Sequence, residues 1–534
     1  MAFVITQNCC NDGSCVPVCP VDCIRPVPSA EGNESTMLYI DPASCVDCGA
    51  CEAECPVGAI YHEDDLPTGQ SVFRDINAEY FVSRPLAVRA MSSEEPRDRV
   101  AAGALRVAIV GSGPAACYAA AELIRTPGVE VNMFERLPTP FGLIRSGVAP
   151  DHQRTKGVVS VFEPALTHPD LRLYLNVTVG EDISHTELLD RHHAVIYAVG
   201  ASSSRELGIP GESLPGSHAA AEVVGWYNGH PDHVDDAIDL SSRRAVIIGN
   251  GNVALDVARV LLSDPGQLAG TDIADHALRR LAGSGIEEVV VIGRRGVGDA
   301  AFTLGEFLAV GELDGVDIVI DGDVGDRPDG NFESALKYDA AERYRQRARR
   351  SGNKRLVFLF GVTPVEIVGS KRVEGVRVDP TRSGNDSFGR IIDTGLVLRS
   401  IGYRSAPIPG LPFDTEREVV PNEGGRVVEA GRTVPGVYVT GWIKRGPRGF
   451  IGSNRTCAQE TVGLLLADHR SGLLSDPTAA GTDIEALLRR RGTVPVDWSG
   501  WRRIDEAERR RGRESGRPRV KYVARSELIG AAQG

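Results

Sequence analysis

The sequence predicts an α/β fold built from two doubly wound nucleotide-binding units behind a small cysteine-dense module. Two observations carry the first part: a strand, a Gly-x-Gly-x-x-Ala turn and a helix occur in that order near residue 110 and again near residue 250, and each set is followed by a further strand. A third carries the rest: nine of the eleven cysteines fall before residue 56. With 534 residues the chain is long enough for about three domains, each with its own core.

The cysteine-dense segment comes first. Cys45, Cys48, Cys51 and Cys55-Pro56 form a complete C-x2-C-x2-C-x3-C-P run. In this spacing three thiolates hold one iron-sulfur cubane and the fourth, before proline, crosses to a second cluster. The earlier run, Cys9, Cys15 and Cys19-Pro20, has Asp12 where a second cysteine is expected. A cubane corner without a soft sulfur ligand loses its iron or keeps it through a carboxylate. The expected pair is therefore a 4Fe-4S and a 3Fe-4S cluster, with a second 4Fe-4S cluster, ligated through Asp12 or Cys10, as the alternative. A disulfide-stapled secreted module competes with this reading. The start MAFVITQN lacks the basic and apolar regions of a signal peptide, and no apolar run is long enough to span a bilayer, so a cytoplasmic protein with no membrane association is expected.

The formal charge is −13, and residues 1–80 hold thirteen acids against Arg25 and Arg74, which leaves this segment at −11. An acidic electron carrier uses such a field to steer toward a basic face, although plain solubility would explain it equally well. Beyond Trp501 the sign reverses, with ten basic residues facing five acids. Beside redox motifs this reads as a solvated helix or a docking surface, and no nucleic-acid partner is expected.

Residues 81–104 lack a sustained hydrophobic period and read as a linker. The first βαβ opening spans a strand at 105–110, a helix from Pro114 and a strand ending at Phe134; the second uses 245–248, 252–262 and 288–292. In the first turn Gly111 permits the tight bend, Gly113 lets the backbone approach a pyrophosphate at a helix N-terminus, and Pro114, Ala115 and Ala116 open the helix. Glu135 stands where a carboxylate accepts from an adenosine ribose, so FAD is expected here. The second turn holds Gly249, Gly251, Asn252 and Val253, and its strand leads into Arg294-Arg295 instead of an acid. Arginine pairs with a 2′-phosphate that a carboxylate would repel, which selects NADP over NAD. Only Cys117 and Cys457 lie beyond the first module, so outside it no C-x-x-C pair is present to form a redox disulfide. Electrons entering as hydride must leave through the flavin edge, and the iron-sulfur module is the evident acceptor.

Three motifs then carry a resemblance: LPTPFGLIRSGVAPDH at 137–152, GNGNVALDVAR at 249–259 and GWIKRGPRGFIGSN at 441–454. Residues 105–470 resemble NADPH-ferredoxin reductases of the adrenodoxin reductase type, and residues 1–80 resemble bacterial seven-iron ferredoxins of α+β fold. The whole resembles a fused ferredoxin and ferredoxin-NADP reductase. The resemblance implies a discontinuous FAD domain, giving 1–80 as ferredoxin, 105–205 and 401–470 as the two FAD segments, 206–400 as the NADP domain and 471–534 as a C-terminal extension. It also implies that Leu143, Trp442 and Ile451 border FAD, that Trp442 and Gly449 approach the nicotinamide nucleotide, and that His152 and Asp256 lie near the reacting rings. Glu306 matches a carboxylate near the NADP site. The spacing Cys9 to Cys15 is two residues shorter than in typical seven-iron ferredoxins, which keeps the type of the first cluster open.

The expected activity is that of a ferredoxin-NADP reductase, carried out by a monomer that delivers electrons to a ferredoxin or a cytochrome P450. Two other readings compete. An electron-input subunit similar to the small subunit of glutamate synthase would place an acid after Gly441, where this chain has Trp442. A non-enzymatic NADPH sensor would lack flavin.

Overall fold

The computed structural model describes residues 2–26, 35–86, 99–329, 331–381, 389–479 and 483–534. Most of the stretch read as a linker, 87–98, lies outside them. The helix Val72–Ser83 runs into the start of that stretch, and at its far end the Val100 N–H donates to Pro127 O at 3.0 Å.

The cysteine module is held by two short antiparallel pairs, Phe3–Ile5 with Ile60–His62 and Ile24–Arg25 with Tyr39–Ile40. Asn77, on the one long helix, ties them together: its side chain bonds Ile5 O, Ile5 N and Ile40 N.

The first nucleotide-binding sheet has seven strands. Leu105–Val110 lies inside it, flanked by Val129–Glu135 and the central strand Ala194–Tyr197, all parallel. Continuous apolar runs such as VAIV suit strands covered by helices on both faces. The strand Arg432–Val439 returns from far along the chain to pair with Ala194–Tyr197, so this sheet draws on two segments of sequence. The second sheet has six parallel strands, with Arg244–Ile248 between Leu396–Arg399 and Glu288–Gly293. A three-stranded antiparallel sheet, Val362–Val368, Gly375–Pro380 and Arg390–Asp393, leans on it.

The arginine-rich C-terminus packs inward. Trp501, Ile504 and Leu528 sit in the core of the first sheet's domain. Glu508, fully buried, receives both guanidinium nitrogens of Arg145 at 3.0 and 2.6 Å, a nitrogen of Arg519 at 3.0 Å and the Tyr522 N–H. Lys521 and Lys156 converge on buried Asp272. Arg517 ties the tail to Asp275 and to the carbonyls of Thr271 and Ile273. The tail therefore clasps both nucleotide-binding units. Arg517, Arg519 and Lys521 are therefore neither solvated nor free for docking, whereas Arg502, Arg503, Arg509, Arg510, Arg513 and Arg525 remain exposed.

Candidate flavin, nucleotide and cluster sites

The two glycine turns have the same construction. Gly111 has φ +103° and Gly249 φ +108°, and a side chain at either would strike a carbonyl of a neighbouring strand end, Ala198 O or Ser400 O. Those carbonyls begin matching turns, Ala198-Val199-Gly200 and Ser400-Ile401-Gly402, which sequence reasoning missed although both carry a glycine at positive φ. The second glycine of each turn faces open space: among the described residues a Cβ on Gly113 would meet nothing within 4 Å, and one on Gly251 only Ala301 Cβ at 4.0 Å. The helices that follow, Pro114–Ile124 and Asn252–Leu262, have no side-chain cap. Free first-turn N–H groups beside an open glycine fit a phosphate-bearing cofactor at both places.

Glu135 ends its strand with one oxygen receiving Ser112 N–H and O–H at 3.1 and 2.8 Å and the other the Leu137 N–H at 3.0 Å. Gly441, at φ +75°, lies against Ala115, and Trp442 begins the next short helix with its indole N–H on Arg448 O at 3.1 Å. The returning segment thus closes onto the first turn. Leu143 is about two-fifths exposed, at 41 %. Val253 packs into the core of its own unit, and Asn252 accepts from Thr303 N at 2.7 Å, holding the loop that leads to Glu306.

Three elements bring His152, Asp256 and Glu306 together. His152 Nδ1 is 3.8 Å from Asp256 Oδ1 and 4.0 Å from Glu306 Oε1. Arg259, one helical turn beyond Asp256, is buried and bonds both Asp256 and Asp151. Burial and the neighbouring Asp256 charge push the Glu306 carboxyl up, and its second oxygen has no hydrogen-bond partner among the described residues. Burial, with the same Asp256 charge, pushes the Tyr403 hydroxyl up to about 12, and the Tyr403 ring lies 5.5 Å from that of Trp442. Arg259 and Asp151 also belong to this centre; both lie inside the quoted motifs, but each reads alone as an ordinary helix or loop residue, and Tyr403 lies outside those motifs.

Arg294 and Arg295 stand exposed past the end of Glu288–Gly293, with no hydrogen bond or ion pair among the described residues. Nothing in the fold requires their charge.

The cysteines form two groups, one at each side of the module. Cys19, Cys45, Cys48 and Cys51 line one hollow together with Cys23. Cys23 Sγ lies 3.4 Å from Cys19 Sγ, beside the ligand set. Cys9, Cys15 and Cys55 feel one another's charge and that of Asp12, which also reaches Cys10. Burial pushes the Cys9 and Cys51 thiols up to about 12. Thiolates gathered in such places need a cationic core to compensate them, which suits iron.

The docking of the module onto the reductase was not foreseen from sequence. Glu333 accepts from Ser35, Thr36 and Tyr39, with distances of 2.8 to 2.9 Å. Gly452 N–H donates to Cys10 O at 3.1 Å, and a side chain on Gly452 would overlap the Asn11–Asp12 backbone. Arg455 reaches Ser14 Oγ at 3.1 Å, and Ile451 packs against the same core as Cys9, Cys10 and Cys55.

Residues 105–295 match the family model described as pyridine nucleotide-disulphide oxidoreductase, and residues 8–59 match the 4Fe-4S dicluster domain. The two remaining cysteines do not form a redox pair: Cys117 donates to Ser112 O, while Cys457 accepts from Gly441 N–H. A probable ferredoxin/ferredoxin-NADP reductase of Mycobacterium tuberculosis is 49 % identical over 100 % of this chain and 95 % of its own. The mitochondrial NADPH:adrenodoxin oxidoreductase of Arabidopsis thaliana is 40 % identical over 85 % of this chain and 99 % of its own. The structure of M. tuberculosis FprA in complex with NADPH superposes with TM-score 0.75 at 43 % identity, covering 80 % of this chain and 100 % of that one. Among the described residues no helix is long and apolar enough to cross a membrane. With two glycine turns of one design, a cysteine module seated against the returning flavin segment and relatives matched along the full length, the chain belongs to the ferredoxin-NADP reductases of the adrenodoxin reductase type that carry an N-terminal iron-sulfur ferredoxin.

Proposed function

We propose that the chain draws electrons from NADPH through FAD into its own clusters, the Cys9/Cys15/Cys55 site first and the Cys19/Cys45/Cys48/Cys51 site second, and passes them to an external ferredoxin or cytochrome P450. The observation that carries the order is the seat of Cys10 and Asp12 on Gly452. The neighbouring Ile451 is the residue expected to border FAD, so the cysteine loop nearest the flavin holds the Asp12 site. Bound FAD supplies the exchange between a two-electron hydride and single electrons.

In this reading Gly111, Gly113, Pro114 and Ala115 receive the FAD pyrophosphate, Glu135 the adenosine ribose, and Leu143, Trp442 and Ile451 the ring system. Gly249, Gly251, Asn252 and Val253 open the NADP site, Arg294 and Arg295 hold its 2′-phosphate, and Trp442 and Gly449 approach the nicotinamide. His152, Asp256 and Glu306 orient the nicotinamide end and hold a proton there, with Arg259 fixing Asp256. Cys45, Cys48, Cys51 and Cys19 hold a 4Fe-4S cluster. Cys9, Cys15 and Cys55 hold a 3Fe-4S cluster, because position 12 offers a carboxylate where a fourth thiolate would be needed. The working unit is a cytoplasmic monomer.

Stopped-flow mixing of the holoprotein with NADPH tests the route, with flavin and cluster absorbance followed separately. Flavin bleaching should come first and cluster bleaching second, without added ferredoxin. Flavin reduction with no cluster response at any time would refute it.

A further inference from the structure

We propose that the face around Cys48, Val46 and Val21 is the port through which electrons leave, and that it docks a one-electron acceptor protein with a basic rim around its redox centre. The proposal rests on the route above, which ends at the Cys19/Cys45/Cys48/Cys51 site.

The two cluster sites have opposite surroundings. The Cys9/Cys15/Cys55 side is closed by Gly452, Ile451 and the core of the flavin unit. On the other side Cys48 is the one exposed member of the seven cysteines assigned as ligands. Val46 and Val21, 56 % and 39 % exposed, line the same hollow and form a small apolar lip. An apolar lip around a partly open redox site permits close approach of a second protein, since water between the centres is expelled on contact.

The charge around the lip selects the partner. His62 lies between two acids, with Nε2 3.4 Å from Asp47 Oδ1 and Nδ1 3.5 Å from Asp64 Oδ2, and its ring meets edge-on that of Phe3, which lines the hollow. Glu52, exposed, follows Cys51 directly. Arg25, beside the hollow's Ile24, is held by both oxygens of Asp22 at 2.8 and 2.7 Å. Residues 1–80 contain no lysine. The field at the lip is therefore negative. It attracts a basic rim and repels an acidic carrier or the same face of a second copy, so among the acceptors named above an acidic ferredoxin is disfavoured at this port.

Glu52→Lys/Asp64→Lys in the full-length holoprotein tests this, with lysine-rimmed cytochrome c as the probe acceptor. At low salt the second-order rate of NADPH-driven cytochrome c reduction should fall roughly tenfold, and the gap should narrow at high salt. NADPH-driven cluster bleaching should keep its rate, which shows the sites intact. The milder Glu52→Gln/Asp64→Asn should give a smaller fall of the same kind if the reversal does not fold. An unchanged rate and salt response with normal bleaching would overturn the port. A salt-sensitive dimer of the unmutated protein that dissociates in the double variant would replace the proposed acceptor with a second copy. Absence of cluster bleaching in the unmutated protein would instead overturn the route beneath the proposal.

Discussion

Replacing Arg294 or Arg295 by alanine isolates the cofactor choice from the rest of the molecule. Both side chains are exposed and unpaired among the described residues, so their loss leaves no buried orphan and should shift stability by no more than about 0.5 kcal/mol. A charge-assisted hydrogen bond contributes about 1.5 to 3 kcal/mol. Salt screens an exposed site, which favours the lower part of that range. About 1.5 to 2 kcal/mol per arginine corresponds to roughly a 10- to 30-fold fall in kcat/KM for NADPH, carried by KM. NADH has no 2′-phosphate and should lose less than about twofold, since only the removed contact differs. Steady-state assays with an artificial acceptor, run with each nucleotide at several salt concentrations, measure the ratio. Equal losses with NADPH and NADH, or a loss carried by kcat, would refute the phosphate assignment and return both arginines to the solvated surface.

Other outcomes follow from the same geometry. Asp12→Cys supplies a thiolate at the first site, so iron content should rise by about one per chain and the paramagnetism of an oxidised three-iron centre should vanish; two diamagnetic four-iron clusters in the unmutated oxidised protein would contradict the assignment. Glu508→Gln leaves Arg145 and Arg519 without their shared countercharge and should cost about 3 to 5 kcal/mol, seen as an earlier denaturant midpoint with an unchanged flavin spectrum. Removing residues 1–86 should keep NADPH oxidation by artificial acceptors but lower the melting temperature, because Leu304, Leu308, Phe332 and Leu336 lose the apolar face they share with the module; an unchanged midpoint would mean that this contact contributes nothing.

The glycine turns and cysteine runs were legible because each imposes a local constraint that few residues satisfy. Gly111 and Gly249 must adopt positive φ against a carbonyl, and the cysteines keep the spacing of a cluster, so the pattern is written in a few consecutive positions. The parallel strands were legible as continuous apolar runs. What stayed hidden depends on pairs far apart in the chain. Glu333 looks like any helix glutamate until Ser35, Thr36 and Tyr39 arrive from about three hundred residues away. Arg517, Arg519 and Lys521 read as a solvated basic run because Asp272, Asp275 and Glu508, which neutralise them, carry no mark of burial in their own local sequence. Arg145 sits inside the most recognisable flavin motif and nevertheless bonds the C-terminal clasp.

The docked module also alters how the fusion works. A flexible tether raises the concentration of a carrier near its donor, but the carrier must still find the flavin edge in each cycle. Here Glu333, Gly452 and Arg455 hold the module in one place, and part of the module shares the hydrophobic core of the flavin unit. The first transfer then needs no encounter step, and its rate should be insensitive to ionic strength. The same contacts close the cysteine loop of the Asp12 site against Gly452 and Ile451, which on the proposed route leaves delivery to the external acceptor, on the far side of the module, as the diffusional step. Salt should therefore slow delivery to an external protein while leaving flavin-to-cluster transfer untouched. A module that had to find the reductase afresh in each cycle would show salt dependence in both steps.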